Sequence, residues 1–187
     1  MKKLLAIILL VASTAFAQSP ATIAKARQSL VTLSMNEPEN GMVQINCTSF
    51  QVGINQVLTV AHCVPENGEI WLNGKKARVA KRNGHMVLLN VELPPVILTI
   101  RKGAILAGED VAAIGYAYGA VPDGVLKRSV ARLDDNQVFL DGPVIGGMSG
   151  GPIVGADGAV VGITQSTNAL TAAGCDAGEI RAFLGIK

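Results

Sequence analysis

Short apolar runs, each broken by a turn signal before it reaches helical length, constrain this chain more than any other feature. From residue 43 they read Val43-Gln44-Ile45, Phe50-Gln51-Val52, Val57-Leu58-Thr59-Val60, Glu69 to Leu72, Ala77-Arg78-Val79 and Met86 to Val91. Gly53-Ile54-Asn55, Glu66-Asn67-Gly68, Asn73-Gly74 and Asn83-Gly84 separate them, and Asn-Gly is the strongest short-range hairpin signal because both residues accept positive φ. Beyond Leu93-Pro94-Pro95 a second set follows: Ile97 to Ile100, Val111 to Ile114, Leu126 to Ala131, Val138 to Leu140, Pro152 to Val154 and Ala159 to Thr164, the last two joined by Ala156-Asp157-Gly158. Equal sets of β-type runs on either side of a proline linker predict an all-β protein of two six-stranded antiparallel barrels, spanning about 25–95 and about 96–175.

The ends of the chain read differently. Ile23 to Leu33 is a short helix or a helix leading into a first strand, and Glu37 to Gly41 is a polar loop. Asp176 is an N-cap, with Ile180, Phe183 and Leu184 at helical spacing behind it, so a closing helix is expected over about 176–186. Met1-Lys2-Lys3, the apolar stretch Leu4 to Ala12 and the small-residue sequence Ala15-Phe16-Ala17 have the layout of a secretory signal peptide, residues 1–17, cut after Ala17. That stretch falls far short of the roughly 20 apolar residues a bilayer span needs. The mature chain, 18–187, is therefore expected in the periplasm or outside the cell, off the membrane. The leader holds two of the sixteen basic residues, leaving fourteen against fourteen acidic ones. A balance near zero offers no nucleic-acid surface.

Chemistry concentrates at two places. Ser149 lies in Gly146-Gly147-Met148-Ser149-Gly150-Gly151-Pro152, where glycines free the backbone to aim two N–H groups at one point beside the hydroxyl, as an oxyanion hole requires. A Gly-rich turn with an incidental serine is the bland alternative. The same stretch fits Gly-x-Ser-x-Gly, but that nucleophile elbow needs a helix directly after the serine and a later histidine. Here a strand and hairpin follow, and both histidines of the chain precede Ser149. His62 ends the apolar strand Leu58 to Val60, where a rigid scaffold can hold an imidazole facing a cleft; alone, it reads equally as a satisfied core residue. Beside it Cys63 stands sixteen positions after Cys47, the separation of a disulfide-closed hairpin, and in an oxidising compartment such a bond persists. Cys175 is left over, as a buried free thiol or an intermolecular partner. His62, His85 and the cysteines lack metal-ligand spacing, so neither metal nor cofactor is expected. Asn46-Cys47-Thr48 fits a glycosylation acceptor by chance.

Thr59-Val60-Ala61-His62-Cys63 resembles the histidine motif of the chymotrypsin-like and trypsin-like serine peptidases, and Gly147-Met148-Ser149-Gly150-Gly151-Pro152 resembles their serine motif. The Cys47 to Cys63 spacing is similar to their histidine-loop disulfide, and the likeness runs from about residue 25 to the closing helix. The resemblance implies a chymotrypsin-like fold and a serine endopeptidase acting on polypeptide. Ser149 would be the nucleophile, His62 its base, and the amides of Gly147 and Ser149 the oxyanion hole. Val144, Ile145 and Gly146 would wall the pocket for the residue before the scissile bond. Gln165, Ser166 and Thr167 would be the edge along which substrate adds as a strand.

Three departures qualify it. His85, in Gly84-His85-Met86-Val87-Leu88-Leu89, stands where the family keeps its third catalytic residue, an Asp; Asp110 precedes a second-barrel strand and is no substitute. A neutral His85 can accept the Nδ1–H of His62 but brings no negative charge. His85 is thus an orienter in a non-standard triad, or a surface residue of an inactive fold that serves as a protein- or peptide-binding module. Second, the chain lacks an Ile-Val-Gly-Gly type N-terminus, and Met148 fills the place of the Asp that receives such an amine, which is similar to the short bacterial and viral branch. Third, the pocket segment Asp141 to Ile145 carries only Asp141 as a charge, so a small or apolar preference is expected.

Overall fold

The computed structural model describes residues 18–40, 42–120 and 123–187; the signal-peptide reading lies outside the described residues. Helix α1 (Pro20–Gln28) precedes six strands: β1 (Leu30–Ser34), β2 (Cys47–Gly53), β3 (Gln56–Val60), β4 (Ile70–Leu72), β5 (Lys75–Arg82) and β6 (Met86–Asn90). They close into a barrel in the order β1-β2-β3-β6-β5-β4. Six more follow: β7 (Asp110–Gly115), β8 (Gly124–Asp134), β9 (Gln137–Leu140), β10 (Pro152–Gly155), β11 (Val160–Thr167) and β12 (Ala172–Asp176), then helix α2 (Ala177–Leu184). These strands close in the order β10-β11-β12-β9-β8-β7. The fold is two closed six-stranded antiparallel barrels, chymotrypsin-like, with a C-terminal helix.

Local chemistry accounts for the turns. Asn73 (φ 47°) and Gly74 (φ 75°) make the two-residue hairpin between β4 and β5. The Asn73 carboxamide oxygen also accepts Thr32 N–H at 2.8 Å, tying the turn to β1. Ser19 caps α1 through its Oγ, with Pro20 at the first helical position, so the helix begins before Ile23. Asp176 caps α2 by accepting Glu179 N–H at 2.9 Å, and Gly185 ends it in the left-handed conformation.

Burial supplies the energy. Phe50, Leu33, Leu58, Leu72, Met86 and Leu89 are fully buried in the first barrel, and Ile114, Leu140, Ile153 and Ile163 in the second. Each contributes about 1.5–3 kcal/mol relative to exposure. Ile180 and Phe183 of α2 join the same core, and Lys81 of β5 reaches across to the Phe183 carbonyl and ring.

Two of the expected strands are not strands. Val43 to Ile45 lies outside any ladder; it is fastened by an Asn46 side chain that accepts Met35 N–H and by the Asn46 N–H donating to Leu33. The sixth strand of that barrel is β1, from the end of the helical reading. Ile97 to Ile100 makes only a single parallel bridge, Ile100 to Val160. Pro94 and Pro95 offer no N–H, and the Gln51 side chain pins the crossing by donating to Pro94 O and accepting Val96 N–H. The missing strand is β12, whose small residues carry no β signal. A Cβ on its Gly174 would fall 1.8 Å from the Ile163 carbonyl oxygen, so close strand packing requires glycine there.

Candidate active site

His62 sits in a single 3-10 turn, Ala61–Cys63, at the end of β3. The β3–β6 ladder runs to Val60–Met86, and Ala61 N–H extends it by donating to the His85 carbonyl at 2.8 Å. Cys63 is fully buried and disulfide-bonded to Cys47 on β2. The turn is therefore held on both sides. A ring nitrogen of His62 and the sulfurs of Cys47 and Cys63 lie within 4.8 Å of one another. Joined to each other, these sulfurs offer no thiolate to a metal, so the trio is an imidazole packed on a disulfide. The ring reaches solvent elsewhere, yet this desolvation holds its pKa below the ordinary 6.5.

Ser149 belongs to the turn before β10 and is half-buried. Cys63 Sγ lies 3.8 Å from the Ser149 carbonyl oxygen, so the histidine turn and the serine loop meet across the seam between barrels. Gly147 has φ 90° and Gly150 φ 83°, both in the region that favours glycine. A Cβ on Gly147 would fall 2.3 Å from the Tyr116 carbonyl oxygen, and one on Gly150 2.2 Å from that of Thr48. The loop is fixed at its far end by Gly150 N–H donating to Thr164 O at 2.7 Å and Thr164 N–H to Gly151 O at 2.9 Å. Among the described residues, neither Gly147 N–H nor Ser149 N–H donates to a backbone carbonyl. Two free amides flank the serine in a loop that cannot relax to pair them.

Thr48 is a residue that sequence reasoning used only as part of a glycosylation pattern. It is fully buried. Its N–H donates to Ser149 O at 2.9 Å, its Oγ1 donates to Gly147 O at 2.8 Å and accepts Tyr116 N–H at 2.9 Å, and its carbonyl accepts Thr59 Oγ1 at 2.9 Å. One threonine of the first barrel thus clamps the serine loop of the second. No local pattern signals this role, since it depends on which strand faces the loop.

His85 follows a side-chain turn in which Asn83 Oδ1 accepts both His85 N–H and Met86 N–H, at 2.9 and 2.7 Å. Its ring is exposed. Among the described residues, the hydrogen bond this ring makes is to Gln165 of β11, 3.1 Å from its Nδ1, rather than to His62. Gln165 therefore faces His85, a contact its assignment to the substrate edge did not foresee.

The segment expected to wall the pocket is linked to the expected substrate edge. Val144 N–H donates to Thr167 Oγ1 at 3.2 Å, and the Thr167 hydroxyl is also within 3.3 Å of the Asn168 and Thr171 carbonyls. Ile145 is half-buried and Gly146 exposed, with the Gly146 carbonyl taken by Tyr118 N–H at 2.6 Å. Ser166 and Thr167 pair with β12, while β10 pairs with β11 only as far as Ile163. The opposite edge of 165–167 is open to an incoming strand. Asp141 is spent elsewhere: it accepts Ser129 N–H at 3.0 Å and lines a cavity of about 230 Å³ with Gln18, Asp110 and Arg128. Cys175 is free and buried. Met148 is fully buried.

Residues 47–163 match the family described as the trypsin-like peptidase domain. Among solved structures, the chain is similar to the active form of the Rv3671c protease from M. tuberculosis, with a TM-score of 0.76, 23% identity, and coverage of 90% of this chain and 87% of that one. It is also similar to the inactive form of that protease, with a TM-score of 0.74, 21% identity, and coverage of 90% and 96%. A third likeness is to the serine endoprotease from Yersinia pestis, with a TM-score of 0.75, 16% identity, and coverage of 88% and 64%. No curated protein matches the sequence.

Proposed function

The chain belongs to the trypsin-like peptidase family, and on that premise we propose that it is an exported serine endopeptidase working in the periplasm or outside the cell, with Ser149 as nucleophile and His62 as general base. Polypeptide lies as an added strand on the open edge at Gln165–Thr167. Ser149 Oγ attacks the scissile carbonyl while His62 Nε2 takes its proton and passes it to the leaving amine. Gly147 N–H and Ser149 N–H hold the oxyanion until water releases the acyl group. His85 is the third member, orienting His62.

The observation that carries this reading is the pair of unpartnered amides beside Ser149, kept apart from carbonyls by two glycines and the Thr48 clamp. Donors held away from backbone carbonyls in this way are free to take a substrate oxygen. The test is labelling of the purified protein by a fluorophosphonate, compared with Ser149→Ala and His62→Ala. Labelling confined to the parent supports an active serine hydrolase; an unlabelled parent at every pH overturns the proposal.

A second reading rests on one observation, the hydrogen bond that turns the His85 ring to Gln165. A fold whose third position no longer serves His62 would bind peptide on the same edge without cleaving it. Peptide binding with no labelling supports this alternative.

A further inference from the structure

Two hydrogen bonds converge on one side chain that the mechanism above leaves without a task. Gln165 sits where β11 bulges from β12, between Thr164 and Ser166. Its amide is held at both ends: Nε2 is 3.1 Å from His85 Nδ1, and Oε1 is 3.7 Å from Cys175 Sγ. Cys175 is fully buried on β12, and burial pushes its thiol well above the ordinary range. The sulfur therefore keeps its one proton, for which the Glu179 side chain competes with Gln165 Oε1. With the thiol donating to Oε1, the amide turns its NH2 to His85, and an N–H only donates. It fills the Nδ1 lone pair, so the proton of a neutral His85 is on Nε2.

Nε2 is then the nitrogen left for His62, and it is a donor. A donor there occupies the Nδ1 lone pair of His62 and puts that ring's proton on Nε2, where a base for Ser149 needs a lone pair. Rotating the amide by half a turn reverses every role. Oε1 accepts Nδ1–H of His85, Nε2 of His85 becomes an acceptor, and His62 carries its proton on Nδ1 with a free Nε2. The thiol sulfur is a weak acceptor as well as a weak donor, so Gln165 is satisfied in both orientations.

Resting on the reading of His85 as third member, we propose that Gln165 is a positioning residue whose amide orientation selects the tautomer of His85, and that the free protein rests in the orientation that withholds the base. The Cys175 thiol favours that orientation when its proton goes to Gln165 Oε1 rather than to Glu179. Substrate lying along Gln165–Thr167 contacts the same residue, which couples arrival of the strand to the turn of the amide.

The test is two-bond nitrogen–proton NMR on protein with 15N-labelled histidine, made simple by a chain with two histidines. The expected result is His85 protonated on Nε2 in the parent, on Nδ1 in Gln165→Glu, where a carboxylate only accepts, and a mixture of the two neutral tautomers in Gln165→Leu. Fluorophosphonate labelling is expected to rise in Gln165→Glu by about tenfold, part of the roughly 10⁴ that a wrong tautomer costs. The same tautomer in all three proteins overturns the proposal. A tautomer that follows residue 165 while labelling does not follow it overturns instead the reading of His85 as third member, leaving tautomer control standing. Cys175→Ala removes the thiol donor without adding charge and covers a Gln165→Glu that fails to fold. A shift of His85 toward Nδ1–H in that variant supports the proposal, and an unmoved tautomer overturns the role given to Cys175.

Discussion

The N–H of Thr48 donates to the carbonyl oxygen of Ser149 at 2.9 Å, across the seam between the two barrels. With the Thr48 hydroxyl on Gly147 O and Tyr116 N–H, the serine loop is shaped as much by the first barrel as by its own. Thr48→Val keeps the volume and removes the hydroxyl, leaving buried groups unpaired at roughly 1–3 kcal/mol each. The expected outcome is a lower midpoint in chemical denaturation together with slower fluorophosphonate labelling. A variant with parent stability and parent labelling rate would show the clamp to be dispensable.

Gly150 is required by space and by conformation. Gly150→Ala puts a Cβ against Thr48 O at φ 83°, and is expected to cost at least about 1–3 kcal/mol. Gly103, where an added Cβ would meet nothing within 4 Å, is the control, and its alanine variant is expected within about 0.5 kcal/mol of the parent. Equal losses in the two variants would refute the account of the loop.

Labelling should fall on the acid side as His62, which is a base only when neutral, takes up a proton. Its pKa is lowered by desolvation, so the midpoint is expected below 6.5. The linked stability follows the same sign. Below the unfolded value the unfolded chain binds the proton more readily, so the contribution of His62 is full above about pH 6.5 and is lost as pH falls through the folded pKa. A labelling midpoint above 6.5 contradicts the packing of the ring on the disulfide.

The Cys47–Cys63 bond closes a separation of 16 residues and holds the His62 turn. Its loss in the Cys47→Ala, Cys63→Ala double variant is expected to cost about 3 kcal/mol. Reductant should lower the thermal midpoint of the parent toward that of the variant, measured by circular dichroism. A midpoint indifferent to both changes would remove the disulfide from the account of the site.

Asp141 is bonded to Ser129 N–H, which leaves the expected pocket wall Val144 to Gly146 and the strand edge Gln165 to Thr167 without a free carboxylate of their own. Cleavage of a peptide library is expected to favour small or apolar residues before the scissile bond. A dominant preference for Lys or Arg would contradict this pocket.

The sequence by itself determined the parts of this protein that depend on neighbours along the chain. Turn chemistry at Asn73-Gly74, the caps at Ser19 and Asp176, the alternation of short apolar runs and the spacing of Cys47 and Cys63 act within a few residues or one hairpin. Their physical cause is present in the local sequence, and from it came two barrels of six strands. Tertiary structure decided what depends on residues far apart in the chain. Val43 to Ile45 and Ile97 to Ile100 have strand-like composition, but a strand exists only where another backbone offers its hydrogen bonds, and those positions went to Leu30–Ser34 and Ala172–Asp176. The same reason hid the role of Thr48 and the contact of Gln165 with His85. Each acts on groups from the opposite barrel, 99 residues away for Thr48 on Gly147 and 80 for Gln165 on His85, and only the docking of the two barrels brings those partners within a hydrogen bond.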